Sequence, residues 1–159
     1  MLRLSKLTDY AVVVLIRLGD CVRAGEDCVQ TSPGIALATG VPEPTVAKVL
    51  KALASATLVT SQRGARGGYR LSRPLETVTV ADVIAAIDGP IALTACVEGG
   101  GGGCDVENIC AVKGRWDLVN DVIRAALTEI SLADMRAASV PPAFRLPAPL
   151  AASAPSAAE

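Results

Sequence analysis

The 159-residue chain contains no histidine. That excludes Ser-His-Asp and Cys-His catalysis, and every metal site that relies on imidazole. Aromatic residues are scarce: Tyr10, Tyr69, Trp116 and Phe144 make up 3% of the chain. A core built from 51% hydrophobic residues must therefore be packed with Ala, Val and Leu, a mixture that suits helices better than a β-sandwich. No apolar run nears the roughly 20 residues of a membrane-crossing helix. The longest early one, residues 11–16, is followed by no small-residue cleavage site, so neither a membrane span nor a signal peptide is expected. There is no P-loop and no dinucleotide fingerprint, which leaves an enzyme as the weakest reading. The length is that of about one domain.

The formal charge of −1 conceals an asymmetry. Residues 1–73 carry ten Lys or Arg and five Asp or Glu, a net +5; residues 74–159 carry five and eleven, a net −6. From Pro42 to Arg73, Lys48, Lys51, Arg63, Arg66, Arg70 and Arg73 stand against Glu43 alone. Opposed halves of this kind point to a polyanion partner for the first, nucleic acid above all, with an ordinary uneven surface as the plainer alternative.

Leu7, Tyr10, Ala11, Val14 and Leu18 recur at helical spacing, and Gly19 is expected to break that helix. Ser32-Pro33 reads as an N-cap with proline at the first helical position, and Gly40 as the terminating glycine of a short helix. Pro44 opens a second helix with an apolar stripe of Val46, Val49, Leu50 and Leu53. Two short helices joined at a glycine and a tight turn make a helix-turn-helix pattern. Thr45, Lys48 and Lys51 share a face of the second helix, the short polar and cationic edge that a major groove accepts. A plain helical hairpin with a solvated lysine face is the alternative.

The next segment favours DNA. Two β-prone runs, Leu58-Val59-Thr60-Ser61 and Tyr69-Arg70-Leu71, flank the turn Gly64-Ala65-Arg66-Gly67-Gly68. The result is a hairpin with Arg63 and Arg66 at a glycine-rich tip. A basic hairpin after a helix-turn-helix is a winged helix, whose wing arginines clamp phosphates or enter the minor groove. Thr79-Val80-Ala81-Asp82 has the form of a capping box before a helix with the stripe Val80, Val83, Ile84 and Ile87, stopped at Gly89-Pro90. A long helix is expected over residues 113–130, where Trp116, Val119, Ile123, Leu127 and Ile130 recur. It packs against a twin in a dimer or back on its own domain. From Val140 onward, half of the ten prolines lie among Ala and Ser, which reads as a disordered tail.

Of the five cysteines, Cys96, Cys104 and Cys110 lie in a glycine- and acid-rich stretch with spacing C-x7-C-x5-C. A core cysteine belongs on an apolar periodic face, and this stretch has none. Three thiolates on a flexible loop make a soft-ligand site. Zinc prefers closer pairs and a fourth Cys or His, so the spacing favours an iron–sulfur cluster, with zinc, a thiol redox switch or incidental cysteines as alternatives. Cys21 and Cys28 are expected to be inert or surface thiols, not a disulfide.

The residues now quoted resemble a known family. Leu2-Arg3-Leu4-Ser5-Lys6-Leu7-Thr8-Asp9-Tyr10-Ala11, Pro42-Glu43-Pro44-Thr45-Val46-Ala47-Lys48-Val49-Leu50, the wing Arg63-Gly64-Ala65-Arg66-Gly67-Gly68-Tyr69 and the three-cysteine loop are similar to the Rrf-two family of bacterial winged-helix regulators. This family includes regulators of Isc and Suf iron–sulfur assembly and a nitric-oxide-sensing repressor. Gly89-Pro90-Ile91-Ala92-Leu93-Thr94, the run from Trp116 to Asn120, and Ser131-Leu132-Ala133-Asp134-Met135 look most like its SUF-system regulator branch. The resemblance covers about residues 1–137. It implies a homodimer, an operator of two related half-sites, and a cluster of [2Fe–2S] or [4Fe–4S] type near the long helices. Where the family's Isc regulator has a ligating histidine, this chain has Lys113, which cannot ligate iron while protonated. In the nitric-oxide-sensing relatives a partner-supplied aspartate is a ligand, and Asp9 lies in the matching stretch; Asp105, Glu107 or a small thiol are other candidates.

The expectation is a mainly α protein: a winged helix-turn-helix with a two-stranded β-wing and a long C-terminal dimerisation helix. Residues 1–75 would bind DNA through Thr45, Lys48, Lys51, Arg63 and Arg66. Residues 76–137 would hold the cysteine loop (91–112) and the dimer helix, and 138–159 would be the disordered tail. The expected function is a cytoplasmic repressor of suf-type genes sensing Fe–S or redox status through Cys96, Cys104, Cys110 and, from the partner subunit, Asp9. The rivals are a regulator switched by thiol oxidation or zinc, and an electron-transfer or scaffold protein.

Overall fold

The structure, a computed structural model, describes residues 3–23, 28–64, 67–101, 104 and 109–137. Arg66, Asp105, Glu107 and the expected disordered tail at 138–159 lie outside the described residues.

Helix α1 spans Lys6–Arg23. Ala11, Val14, Leu15 and Leu18 are fully buried, with Leu7 and Tyr10 packed at the margin of the core. Contrary to expectation, Gly19 does not end the helix. A Cβ there would collide with the Leu75 side chain, so this glycine admits a neighbouring segment, and the helix absorbs its cost of about 1 kcal/mol relative to alanine. Because α1 continues to Arg23, Cys21 rides on its last turns, and the structure joins it to Cys28 in a disulfide. That corrects the expectation of two inert thiols.

Helices α2 (Ser32–Thr39) and α3 (Glu43–Ser55) form the helix-turn-helix. The N-cap of α2 is Thr31 and not Ser32: the Thr31 hydroxyl accepts from the Gly34 N–H at 3.2 Å. Ser32 starts the helix and Pro33 sits in its first turn, where a missing N–H is harmless. Gly40, at φ +74°, ends α2 in the left-handed conformation. Helix α3 buries Val46, Val49, Leu50 and Leu53, the stripe read from the sequence.

Strands β1 (Val59–Gln62) and β2 (Gly68–Leu71) pair antiparallel, with Val59 opposite Leu71 and Gln62 opposite Gly68. Leu58, expected to open the first strand, is a buried connector whose N–H donates to the Leu53 carbonyl at 2.9 Å. A 3-10 turn at Leu75–Thr77 leads into α4, Val80–Ile87. Its capping box is present: Asp82 N–H donates to the Thr79 hydroxyl at 3.1 Å, and Thr79 N–H donates to the Asp82 carboxylate at 2.9 Å. Helix α5 spans Arg115–Glu129 and begins after Gly114, at φ +74°, a little later than expected. A further short helix, α6 (Leu132–Ala137), was not anticipated. It is capped in the same reciprocal way by Ser131 and Asp134.

Helices α1 to α4 and α6 share one core, in which Leu15, Ile35, Leu50, Val83 and Leu132 are fully buried. After α5 the chain returns to the head of α4. Val80 N–H donates to the Ile130 carbonyl at 2.9 Å, and Leu132 N–H to the Val78 carbonyl at 2.8 Å. The architecture is mainly helical with a two-stranded wing.

Candidate DNA-binding face and cysteine loop

Burying Val46, Val49, Leu50 and Leu53 on one side of α3 turns the other side outward. Lys48 and Lys51 are exposed there, and Thr45 is half-buried in the first turn. An open cleft of about 530 Å³ separates α3 from the wing and is lined by Ala47, Lys51, Ala54, Ser55, Ser61 and Tyr69. Helix and wing thus face a common space with small side chains at its floor. Arg63 is exposed where the hairpin leaves β1, and Arg70 is exposed opposite Thr60. The turn is tight: Gly64 adopts φ +113°, Gly67 N–H donates to the Gly64 carbonyl at 2.9 Å, and a Cβ at Gly67 would lie 2.5 Å from the Gln62 carbonyl oxygen. Arg73, counted among the cations of this segment, is engaged elsewhere. Its guanidinium donates to the Asp82 carboxylate at 2.6 Å, so it belongs to the capped start of α4.

Cys96, Cys104 and Cys110 are free and half-buried, between α4 and α5. Their donor chemistry fits a soft metal or an iron–sulfur cluster. Among the described residues, no three His, Cys, Asp or Glu side chains are gathered into a metal-sized group. The surroundings of Cys96 are well built. Thr94 Oγ1 and Cys96 Sγ share a hydrogen bond at 3.3 Å, and Gly100 N–H donates to the Val97 carbonyl at 2.9 Å. Gly99, at φ +83°, lies where a Cβ would meet the Pro90 ring at 2.6 Å, and a Cβ at Gly100 would collide with the Thr94 carbonyl. The glycine run therefore folds the backbone back over residues 94–95. At the other end, Lys113 N–H donates to the Cys110 carbonyl at 3.2 Å, which links that cysteine to the turn opening α5. Asp9 is exposed in the first turn of α1.

Two residues that sequence reading missed tie this loop to the helices. Asn120 is the one buried residue of α5 among those described, 4% exposed. Its carboxamide accepts from Leu93 N–H at 3.1 Å and donates to the Ile91 carbonyl at 3.1 Å. It thereby pins the segment that leads to Cys96 onto α5. Its signal in the sequence was a polar residue interrupting the apolar stripe between Trp116 and Ile123. The second is Asp88, at the C-terminal end of α4. Its carboxylate accepts from the buried Thr8 hydroxyl at 2.7 Å and from Ser5 N–H at 3.5 Å. Burial pushes the Asp88 carboxyl up, and the hydrogen bonds from Thr8 and Ser5 outweigh it, leaving the group below its ordinary range.

Helix α5 is otherwise largely exposed and leaves several apolar side chains open to solvent. Leu118 is 72% exposed and Val122 61%, with Trp116 and Val119 also open. Ile123 and Leu127 border a groove of about 830 Å³ whose other walls include Leu4, Ile84, Pro90 and Ile91. No helix among the described residues is long and apolar enough to cross a membrane.

The family model described as Rrf2, iron-dependent transcriptional regulator, matches residues 4–138. The chain belongs to the Rrf2 family. Among relatives, the HTH-type transcriptional regulator IscR of Escherichia coli is 33% identical over 78 residues, 49% of this chain and 47% of that one. Of solved structures, T. potens IscR superimposes with a TM-score of 0.60 at 29% identity, covering 85% of this chain and 86% of that one. CymR, the global cysteine regulator of B. subtilis, superimposes with a TM-score of 0.63 at 23% identity, covering 88% of this chain and 100% of that one; at that identity it supports the fold. These Rrf2 proteins are transcriptional regulators and not enzymes, and this chain is a DNA-binding transcriptional regulator with the winged-helix fold.

Proposed function

We propose that this Rrf2 chain is a cytoplasmic repressor of suf-type iron–sulfur assembly genes that senses Fe–S or redox status through a cluster bound by Cys96, Cys104 and Cys110. The observation that carries the reading is the pinning of the Cys96 segment to α5 by buried Asn120. Through it, a change at the thiols alters the helix whose exposed apolar face is suited to a second copy of the chain. Asp9 of the partner subunit is the proposed fourth ligand. Residues 1–75 form the DNA-binding part, with Thr45, Lys48, Lys51, Arg63 and Arg66 on the duplex. Residues 76–137 form the sensing and dimerising part. Two heads in a homodimer meet operator half-sites about one helical turn apart, so a small rotation between them changes affinity.

The test is the iron, acid-labile sulfide and zinc content of anaerobically purified protein, read beside the salt dependence of its binding to duplex DNA. Near-equal iron and sulfide, with binding that weakens steeply as salt rises, support the proposal. Zinc alone, or no metal after attempted reconstitution, moves the sensing to the thiols and leaves DNA binding intact. Salt-insensitive or absent DNA binding favours an electron-transfer or scaffold role.

A further inference from the structure

A second sulfur site lies far along the chain from the three-cysteine loop. Cys21 is half-buried on the last turns of α1, and Cys28 is buried at 8% exposure. The structure bonds them, with Cα atoms 5.6 Å apart and a sequence separation of seven. That separation is typical of a disulfide whose two backbones need not move to form it.

The bond has a direct connection to the DNA-binding face. Two residues after Cys28, Gln30 pairs through both of its backbone groups with Tyr69 in the middle of β2, at 2.9 and 2.8 Å. A Cβ at the neighbouring Gly68 would lie 2.5 Å from the Gln30 carbonyl oxygen, so the wing strand and the Gln30 backbone are in close contact. The Gln30 side chain also donates to Cys28 Sγ at 3.6 Å. The next residue, Thr31, is the N-cap of α2. The segment 28–31 therefore touches both the wing and the first helix of the helix-turn-helix, and the sulfur bond anchors that segment to α1.

We propose that Cys21 and Cys28 form a reversible dithiol–disulfide site, oxidised by a hydroperoxide, whose bond holds the wing seated against α1. A regulator works beside DNA in a compartment that keeps thiols reduced, where a protein disulfide is characteristically transient and redox-sensing. The Cys21 thiolate, the more accessible of the two, attacks a peroxide oxygen. The O–O bond breaks and hydroxide leaves as water, giving Cys21 sulfenic acid. The Cys28 thiolate then attacks the Cys21 sulfur; the S–S bond forms, the S–O bond breaks and a second water leaves. In sum, two thiols and hydrogen peroxide give one disulfide and two waters. A dithiol reductant reverses the step by exchange, becoming a disulfide itself.

The test uses the full chain reduced with dithiothreitol, treated with hydrogen peroxide, and mapped by alkylation mass spectrometry and by amide hydrogen exchange. The expected result is loss of alkylation at both Cys21 and Cys28 with a linked peptide, restored by dithiothreitol. Slower exchange at Gln30 and Tyr69 should accompany it in the oxidised form. Cys21→Ser should behave as the reduced chain in either condition. Affinity for a generic duplex should be weaker, by about fivefold, in the reduced wild type than in the oxidised, reflecting part of the constraint that a loop-closing disulfide supplies, with no such difference in Cys21→Ser. Equal alkylation before and after peroxide, or a linked pair with unchanged exchange at Gln30 and Tyr69, overturns the proposal. The affinity difference rests on wing contact with DNA. The same measurements on a Cys96→Ser, Cys104→Ser, Cys110→Ser chain separate the site from the cluster reading, since that chain keeps Cys21 and Cys28 and should respond as before.

Discussion

The helix-turn-helix and the cysteine-bearing appendage differ in how completely one chain satisfies them. Helices α1 to α3 bury Leu15, Ile35, Leu50 and other apolar side chains to zero exposure. Helix α5, at 15 residues longer than either α2 or α3, buries Asn120 alone among its described side chains and leaves Leu118 and Val122 in solvent. Exposed apolar residues scattered singly are ordinary; Trp116, Leu118, Val119 and Val122 open together on one helix are not. The first region completes its core within one chain, though it leaves Leu37 of α2 open to solvent. The second is held by hydrogen bonds, glycine turns and the packing of Ile91 and Leu127 against the core, and it leaves much of its apolar surface in solvent.

The largest expected effect tests this contrast directly. Leu50→Ala should cost about 3 kcal/mol in chemical denaturation, as deletions in a well-packed core do. Leu118→Ala should change monomer stability by less than about 0.5 kcal/mol, while Leu118→Glu with Val122→Glu should shift sedimentation from two chains to one. Comparable destabilisation at Leu50 and Leu118 would erase the distinction between the regions. On the DNA side, Lys48→Ala with Arg63→Ala should lower duplex affinity and reduce the slope of log K against log salt by about 2, roughly one per lost phosphate contact. Arg73→Ala should leave that slope unchanged, because the Arg73 guanidinium is spent on Asp82.

Two smaller effects sharpen the junction between the regions. Asn120→Ala removes the partners of the Leu93 N–H and the Ile91 carbonyl. It should cost about 1–2 kcal/mol and speed amide exchange at Leu93, with little change at Gln30. Asp88 sits below its ordinary range through its hydrogen bonds to Thr8 and Ser5. A carboxyl lowered on folding stabilises above the unfolded value, about 3.9, and loses that contribution as pH falls from there through the folded value. Asp88→Asn should therefore flatten the acid limb of a stability–pH curve, by well under 1 kcal/mol because the side chain is exposed.

Periodicity and caps made much of the fold legible. The stripe Val46, Val49, Leu50 and Leu53, the capping box Thr79–Asp82 and the glycine end at Gly40 all follow from local rules. What was misread depends on tertiary neighbours. Gly19 looks like a breaker until Leu75 is seen against it. Arg73 counts toward the basic segment until Asp82 is seen beside it. Thr31 outcompeted Ser32 as a cap, a choice between adjacent residues of similar chemistry. The pairing of Cys21 with Cys28 was missed for another reason: a reducing compartment argues against disulfides in general, and only the fold shows these two cysteines side by side. In the site, the exposure of Lys48 and Lys51 was readable from the helix face they share and that of Arg63 from its place at the hairpin tip, whereas the bridging role of Asn120 required knowing which loop lies over α5.

The chain leaves α4 at Asp88, at one end of the helix, and returns at Ile130 and Leu132, bonded to Val80 and Val78 at the other end. The two attachments flank one eight-residue helix, and lie about 12 Å apart at 1.5 Å per residue. The length of the intervening chain is thereby uncoupled from the architecture that carries it. Residues could be inserted or deleted between Cys96 and Cys104 during evolution without displacing either anchorage, which gives the seven residues between those two cysteines a place in the fold at no expense to the DNA-reading half.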